Sequence, residues 1–258
     1  MFELSSYPIV AVFFIGLTVI LVISELGWQL GIRTKGGGGG NITTLESAML
    51  GLLALMLAFT FSMALTRFEA RRDALLNEAN AIGTTALRAR LLPDPHRSET
   101  LKLLREYVDI RLDIVRQDTS LAERIAIVDR SNALQEALWQ QAKAIASKDS
   151  GLVPSGLFIA SLNEMIDDQG KRLSALRNQV PNIVLITLFA IAAVAGGFAG
   201  YASAVDAQRT RLPVLVMGLL IAIVIFLIVD LDRPSTGFIK NNQQPMLDLA
   251  ASIASFVD

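Results

Sequence analysis

Residues 53–85 read LALMLAFTFSMALTRFEARRDALLNEANAIGTT and contain a change from apolar to charged sequence. The part before Arg67 is apolar and uncharged, whereas charged and polar residues dominate from Arg67 onward. Apolar residues nevertheless continue at helical spacings of three and four, at Leu75, Ala79 and Ile82. Gly51 is the only proline or glycine between positions 48 and 82. The pattern therefore predicts one helix that leaves a membrane and continues without a break as a stalk.

Four apolar stretches divide the chain: residues 8–23, 48–65, 183–204 and 212–229. None contains a charged residue, and each is about long enough to cross a hydrocarbon core of roughly 30 Å. Residues 67–181 hold 33 of the chain's charged residues. The first stretch follows Glu3 and has no clear cleavage site after it, so we expect a retained span and not a signal peptide.

The polar insert between the second and third stretches has a helical pattern throughout. Pro93 and Pro95 are expected to end the stalk helix. Further helices are expected over 98–116, over 120–148 with a capping box at Ser120 and Glu123, and over 157–178. The fold class predicted is all-α, with four transmembrane helices and a helical bundle inserted between the second and third. The domains expected are 1–66 (helices one and two), 67–180 (the bundle), 181–230 (helices three and four) and 231–258 (a tail).

The positive charges near the span ends orient the protein. Four spans place the insert and both termini on one side of the membrane. That side carries Arg67, Arg71, Arg72, Lys171, Arg172, Arg177, Arg233 and Lys240; the other carries Arg33, Lys35, Arg209 and Arg211. By the positive-inside rule, the insert and termini are expected to be cytoplasmic.

Several classes of function lack the residues they need. The chain has no cysteine, one histidine (His96) and no nucleophile or nucleotide-binding motif, so we expect no enzyme, cofactor or metal site. A net charge of −1 gives no basis for binding nucleic acid. The acids Glu106, Asp109 and Asp113 interleave with Arg105, Arg111 and Arg116, which favours a solvated face with ion pairs. The run of five glycines at 36–40 is interpreted as a flexible tether.

At the second span the chain resembles a known family. Residues 57–72, the segment EANAIGT at 78–84, DLDRP at 230–234 and Gln244-Pro245 are similar to motifs of the bacterial four-span DUF4239 (bestrophin-like) group. More distantly, residues 57–71 follow a bestrophin pattern loosely. The resemblance implies a bacterial inner-membrane protein. Some bestrophins hold calcium after the last span, but Asp230 and Asp232 are too few for it, so a salt bridge or cap near Arg233 is expected.

Bestrophins are pentameric ion channels whose second helices line a hydrophobic neck, so the resemblance implies a homo-oligomeric channel for small inorganic ions, of undetermined sign. The family pattern places Phe59 in the neck, and helical spacing adds Gly51, Leu55, Ser62 and Thr66. Leucine and phenylalanine rings can gate by dewetting. The alternative is that these residues pack against helices or lipid.

We expect Arg67 at the membrane interface, Phe68 at the level of the headgroups, and Arg71 and Arg72 near lipid phosphates. A helical domain between two spans is also typical of membrane receptors. The alternative function is therefore a non-conducting sensor or scaffold whose cytoplasmic domain binds a partner protein.

Overall fold

The computed structural model describes residues 7–34, 39–116, 121–148, 153–205, 210–234 and 236–256. All regular secondary structure in these ranges is helical. The helices are α1 (Ile9–Arg33), α2 (Gly39–Ala89), α3 (His96–Arg116), α4 (Leu121–Lys148), α5 (Val153–Arg177), α6 (Asn182–Val205), α7 (Leu212–Asp232) and α8 (Gln244–Ala254). The predicted all-α class is confirmed.

Four segments are long and apolar enough to cross a membrane: residues 9–33, 42–89, 153–205 and 212–232. They contain the four apolar stretches of the sequence. The protein is therefore a multi-pass membrane protein, as expected.

Helix α2 is continuous over 51 residues, which confirms the unbroken second helix. At 1.5 Å per residue its axis is about 76 Å long. The helix ends at Ala89, and tight turns follow in which the amides of Leu91 and Leu92 donate to the carbonyls of Arg88 and Ala89. Pro93, four residues beyond Ala89, prevents the helix from resuming at once.

The chain forms two compact units, and the first comprises Met1–Glu69 and Asn178–Lys240. It contains α1, the first part of α2, α6 and α7. Helices α1 and α6 approach so closely that their backbones touch. A Cβ built on Gly27 would lie 1.9 Å from the carbonyl oxygen of Gly197, and one on Gly200 would lie 2.0 Å from that of Ser24. Small residues permit such packing, which replaces the hydrophobic effect as the source of helix association in lipid.

The second unit comprises Ala70–Arg177 and Asn241–Asp258. It contains the rest of α2 with α3, α4, α5 and α8. Its buried core contains at least one residue from each of α2, α3, α4 and α5, namely Ile82, Leu104, Leu138 and Phe158. The sequence predicted boundaries after residues 66 and 180, whereas the units divide after Glu69 and Arg177.

Four helices differ from the sequence expectation. Helix α2 begins at Gly39, within the glycine run interpreted as a tether, and α3 begins at His96 and not at 98. Helix α5 begins at Val153 and not at 157, because a proline such as Pro154 is tolerated in the first turn, where no intrahelical amide bond is lost. Helix α8 was not expected. It buries Met246, Leu249 and Ile253, spaced by three and four residues, against the core of the second unit. The proposed cap Ser120 lies outside the described residues.

Candidate functional site: the uncovered face of the second helix

Within the first unit, α2 is covered by its own chain along one narrow stripe. Leu53 and Ala64 are buried in the same cluster as Leu188 and Ala192 of α6 and Ile225 of α7. Only 17% of the most apolar segment of α2 is buried inside the protein, whereas the corresponding shares for the other three candidate spans are 28%, 44% and 33%. Helix α2 is thus the span that its own chain covers least, so lipid or another protein must supply most of its contacts.

The five residues predicted to line a pore all lie on the uncovered part of α2. This candidate pore face consists of Gly51, Leu55, Phe59, Ser62 and Thr66, and every one is exposed. Leu55 is 53% exposed and Phe59 62%. Their spacings of four, four, three and four place them along one side of the helix. The face is uncharged from end to end.

The polar end of the candidate pore face has a defined hydrogen-bonding state. The Thr66 hydroxyl donates to the carbonyl of Ser62 at 2.9 Å. A hydroxyl has one proton and two acceptor lone pairs, so the group that Thr66 still offers to the outside is an acceptor oxygen. Thr60, by contrast, is buried and donates to the Met56 carbonyl at 2.7 Å, so it takes no part in this face.

The residues expected at the bilayer surface have different environments. Phe68 packs against the core of the first unit. Arg67 is half-buried, and its guanidinium donates to Asn178 Oδ1 at 3.4 Å and to the Met63 carbonyl at 3.2 Å. Arg72 is exposed.

Arg71 departs from that expectation. It is only 2% exposed and lies within the second unit, so its own fold encloses the guanidinium that was expected to meet lipid phosphates.

A buried charge cluster in the second unit escaped the sequence analysis. The Glu78 carboxylate is fully buried between two arginines. Arg111 Nη2 donates to Glu78 Oε2 at 3.2 Å, and Arg111 Nε lies 2.8 Å from Oε1. Arg172 Nη1 donates to Oε2 at 2.5 Å. We call Glu78, Arg111 and Arg172 the buried triad. The expectation that Arg111 belongs to a solvated face is wrong, because its side chain is 1% exposed, whereas Glu106 and Asp109 are exposed as predicted.

The signal for the buried triad is present in the helix patterns. Arg111 follows Leu104 and Val108 on the buried stripe of α3, and Arg172 follows Met165 on that of α5. A charge on an apolar stripe requires a partner of opposite sign, because an unpaired buried charge is costly.

Neutral polar groups surround the buried triad and respond to its charge. Gln135 Nε2 donates to the Tyr107 hydroxyl at 3.2 Å and to Gln169 Oε1 at 2.5 Å. Burial, and then the negative charge of Glu78, raise the pKa of Tyr107 above its usual range. Burial also lowers the pKa of Arg172, and Glu78 opposes that shift. The cluster thus holds charged and neutral polar groups inside a helical core.

The acidic pair after the last span binds backbone amides. Asp230 Oδ1 and Oδ2 accept hydrogen bonds from the amides of Phe238 and Ile239 at 2.7 and 2.8 Å. Asp232 Oδ1 accepts from the Val180 amide at 2.8 Å. Both carboxylates therefore hold backbone amides, and the expected salt bridge or cap near Arg233 stays a prediction. Among the described residues, no three histidine, aspartate or glutamate side chains converge as a metal site requires.

Comparison with known proteins identifies the family. The sequence-family model of the Bestrophin-like domain matches residues 42–246, which is most of the chain. This protein belongs to the Bestrophin-like domain family. No curated protein sequence matches the chain.

Solved structures share the bestrophin fold. A bacterial bestrophin homologue from Klebsiella pneumoniae, phased with zinc, is 16% identical with a TM-score of 0.65, and the match covers 93% of this chain and 95% of that one. A point mutant of the Klebsiella pneumoniae homologue is 15% identical with a TM-score of 0.67, over 96% of each chain.

The residues of the family motifs have definite structural positions in this protein. In the bestrophin-like segment 78–84, Glu78 is the acid of the buried triad and Ile82 is fully buried. Gly83 faces α8 so closely that a Cβ there would lie 3.2 Å from Leu249 Cδ1. Asp230 and Asp232 bind backbone amides at the end of α7. These motif residues stabilise the fold.

Proposed function

We propose that this bestrophin-like protein is a homo-oligomeric ion channel whose neck is formed by the candidate pore face of α2. The observation that carries the proposal is an uncharged face, apolar at Leu55 and Phe59, on the span that its own chain covers least. Copies arranged around an axis supply the missing contacts on the flanks of α2 and leave its centre facing a passage. The resemblance to bestrophins favours five copies.

The order of residues along the face suits a gate. Leu55 and Phe59 form apolar rings in such an assembly, and rings of this kind oppose conduction by excluding water. Ser62 and Thr66 follow toward the second unit and supply oxygen atoms that replace part of the hydration shell of an ion. Gly51 leaves open space, since nothing lies within 4 Å of a Cβ built there.

The groups at the polar end favour a cation. Thr66 offers an acceptor oxygen because its proton is used within the helix. Glu69, three residues further, is exposed, whereas the guanidinium of Arg67 is held by Asn178 and by a carbonyl of its own helix. An acidic ring beside acceptor oxygens raises the local concentration of cations.

The positive-inside pattern and the bacterial resemblance support an inner-membrane location with a cytoplasmic helical unit.

Ion flux in liposomes tests the proposal. Phe59→Ala widens and wets the apolar ring, so it should raise the flux or its open fraction relative to wild type. Phe61→Ala is the matched control, because Phe61 is exposed on the same helix but is turned about 200° away from Phe59. Equal flux in both variants would contradict a neck at Phe59. Absence of flux in the wild type and in both variants, or a stable monomer in detergent, would favour the scaffold function.

A further inference from the structure

A crevice in the first unit lies where the ends of α1, α6 and α7 meet, away from the candidate pore face. It is a shallow crevice that is open to the surroundings, and not an enclosed cavity. Ser24, Glu25 and Trp28 of α1 line one side, and Arg211, Val214 and Leu215 line the other. The first apolar stretch, residues 8–23, ends just before Glu25, so Glu25 and Trp28 lie where this span leaves the hydrocarbon.

The crevice carries one charge of each sign, in a long ion pair. Arg211 Nη2 is 3.5 Å from Glu25 Oε1, and the two side chains are 56% and 42% exposed. A pair this long and this exposed contributes little to stability, so both groups are available to a ligand. Glu25 also accepts a long 3.4 Å bond from Gln29 and retains unused lone pairs.

Trp28 supplies a buried donor to the same crevice. Its side chain is 6% exposed, yet its Nε1–H has no hydrogen-bond partner within the described part of the chain. Buried indole N–H groups normally have a partner, so this one indicates an acceptor beyond the residues that the structure describes. The Arg211 guanidinium covers the indole ring at 5.0 Å from its centroid.

The amino-terminal end of α7 adds a positive field. Arg211 is its N-cap residue and makes no side-chain cap hydrogen bond. The first turn offers the amides of Leu212 and Val214, since Pro213 has none, and this positive end of a 21-residue helix attracts an anion.

We propose that this crevice binds the phosphoethanolamine headgroup of a membrane lipid. Arg211, the Trp28 indole N–H and the first turn of α7 would hold the phosphate, and Glu25 would accept hydrogen bonds from the primary ammonium. Leu215, 44% exposed, offers apolar surface to the acyl chains. The net charge of the crevice is zero, which favours a zwitterion over an anionic lipid. A choline headgroup lacks N–H donors for Glu25, and the indole ring that would attract it is already covered by Arg211.

Lipid binding to the full chain in detergent tests the assignment. Native mass spectrometry would compare phosphatidylethanolamine, phosphatidylcholine and phosphatidylglycerol of identical acyl chains. We expect preference for phosphatidylethanolamine, with affinity about tenfold lower in Arg211→Gln and about fivefold lower in Trp28→Phe, which keeps the ring and removes the N–H. Arg33→Gln is the control, because it removes the same charge from an exposed site on α1 outside the crevice.

The possible results separate the ligands. Equal binding of the three lipids, or unchanged affinity in both crevice variants, would overturn the proposal. Glu25→Gln should remove the preference over phosphatidylcholine, and retention of that preference would contradict the role of the carboxylate. Free phosphoethanolamine binding as tightly as the lipid would overturn the membrane as its source. Circular dichroism spectra that match wild type would show that each variant is folded.

Discussion

Replacement of Glu78 by glutamine should strongly destabilise the second unit. The change keeps the shape of the side chain but removes the carboxylate that Arg111 contacts at 2.8 and 3.2 Å and Arg172 at 2.5 Å. Both guanidinium groups then remain buried beside a neutral amide whose NH₂ group is itself a donor. Breaking a buried ion pair in this way costs about 3–5 kcal/mol, out of a total of roughly 5–15 kcal/mol for a domain.

Denaturant unfolding measures this loss. A Trp28→Phe background leaves Trp139, which packs against the core of the second unit, as the only tryptophan. Its emission then reports unfolding of that unit. Glu106→Gln is the control, since the same chemical change at an exposed position of α3 should shift stability by about 0.5 kcal/mol or less. The triple change Glu78→Leu, Arg111→Met and Arg172→Met should recover most of the stability, because apolar residues can replace a buried ion cluster. A Glu78→Gln loss as small as that of the control would refute the reasoning.

Three further predictions follow from other parts of the molecule. Gly27→Ala should destabilise the first unit by more than about 2 kcal/mol in a thermal unfolding assay, because its Cβ would overlap the Gly197 carbonyl. Gly51→Ala is the control. Its Cβ would meet nothing within 4 Å, so this change should be neutral or stabilising in the same assay. Glu69→Lys should shift the reversal potential of reconstituted channels toward anions, and an unchanged potential would remove Glu69 from the conduction path. Folding raises the pKa of Tyr107 from its usual value near 10, so the stability that its neutral hydroxyl contributes is complete below pH 10 and is lost as the pH rises further. In Tyr107→Phe, the midpoint of unfolding should therefore fall less at alkaline pH than it does in the wild type.

The membrane-spanning architecture could be predicted because its determinants are local. The absence of charge over 48–65 and the apolar spacing of Leu75, Ala79 and Ile82 identify one long helix without any knowledge of its neighbours. The candidate pore face could be placed on the helix for the same reason, since helical spacing fixes which residues share a side. Whether that side faces a passage depends on other copies of the chain, which no local pattern encodes.

The buried triad could not be assembled from the sequence because its members are far apart. Glu78 and Arg172 are 94 positions distant, and many pairings of acids with arginines are possible in this insert. Arg71 illustrates the same difficulty. Its position after an apolar span is typical of a residue at the membrane surface, yet the tertiary structure leaves it only 2% exposed. Helix α8 is short, so its apolar spacing stands out only once the surface that it covers is known.

The backbone contact between α1 and α6 has a consequence for how such proteins diversify. Where main chains touch, as at Gly27 and Gly200, almost no substitution is tolerated. Helix α2 lacks that restriction over most of its membrane segment. A lineage can therefore alter the exposed face of α2 one residue at a time while its glycine-packed helices remain as they are, and properties that depend on this face can evolve without a new fold.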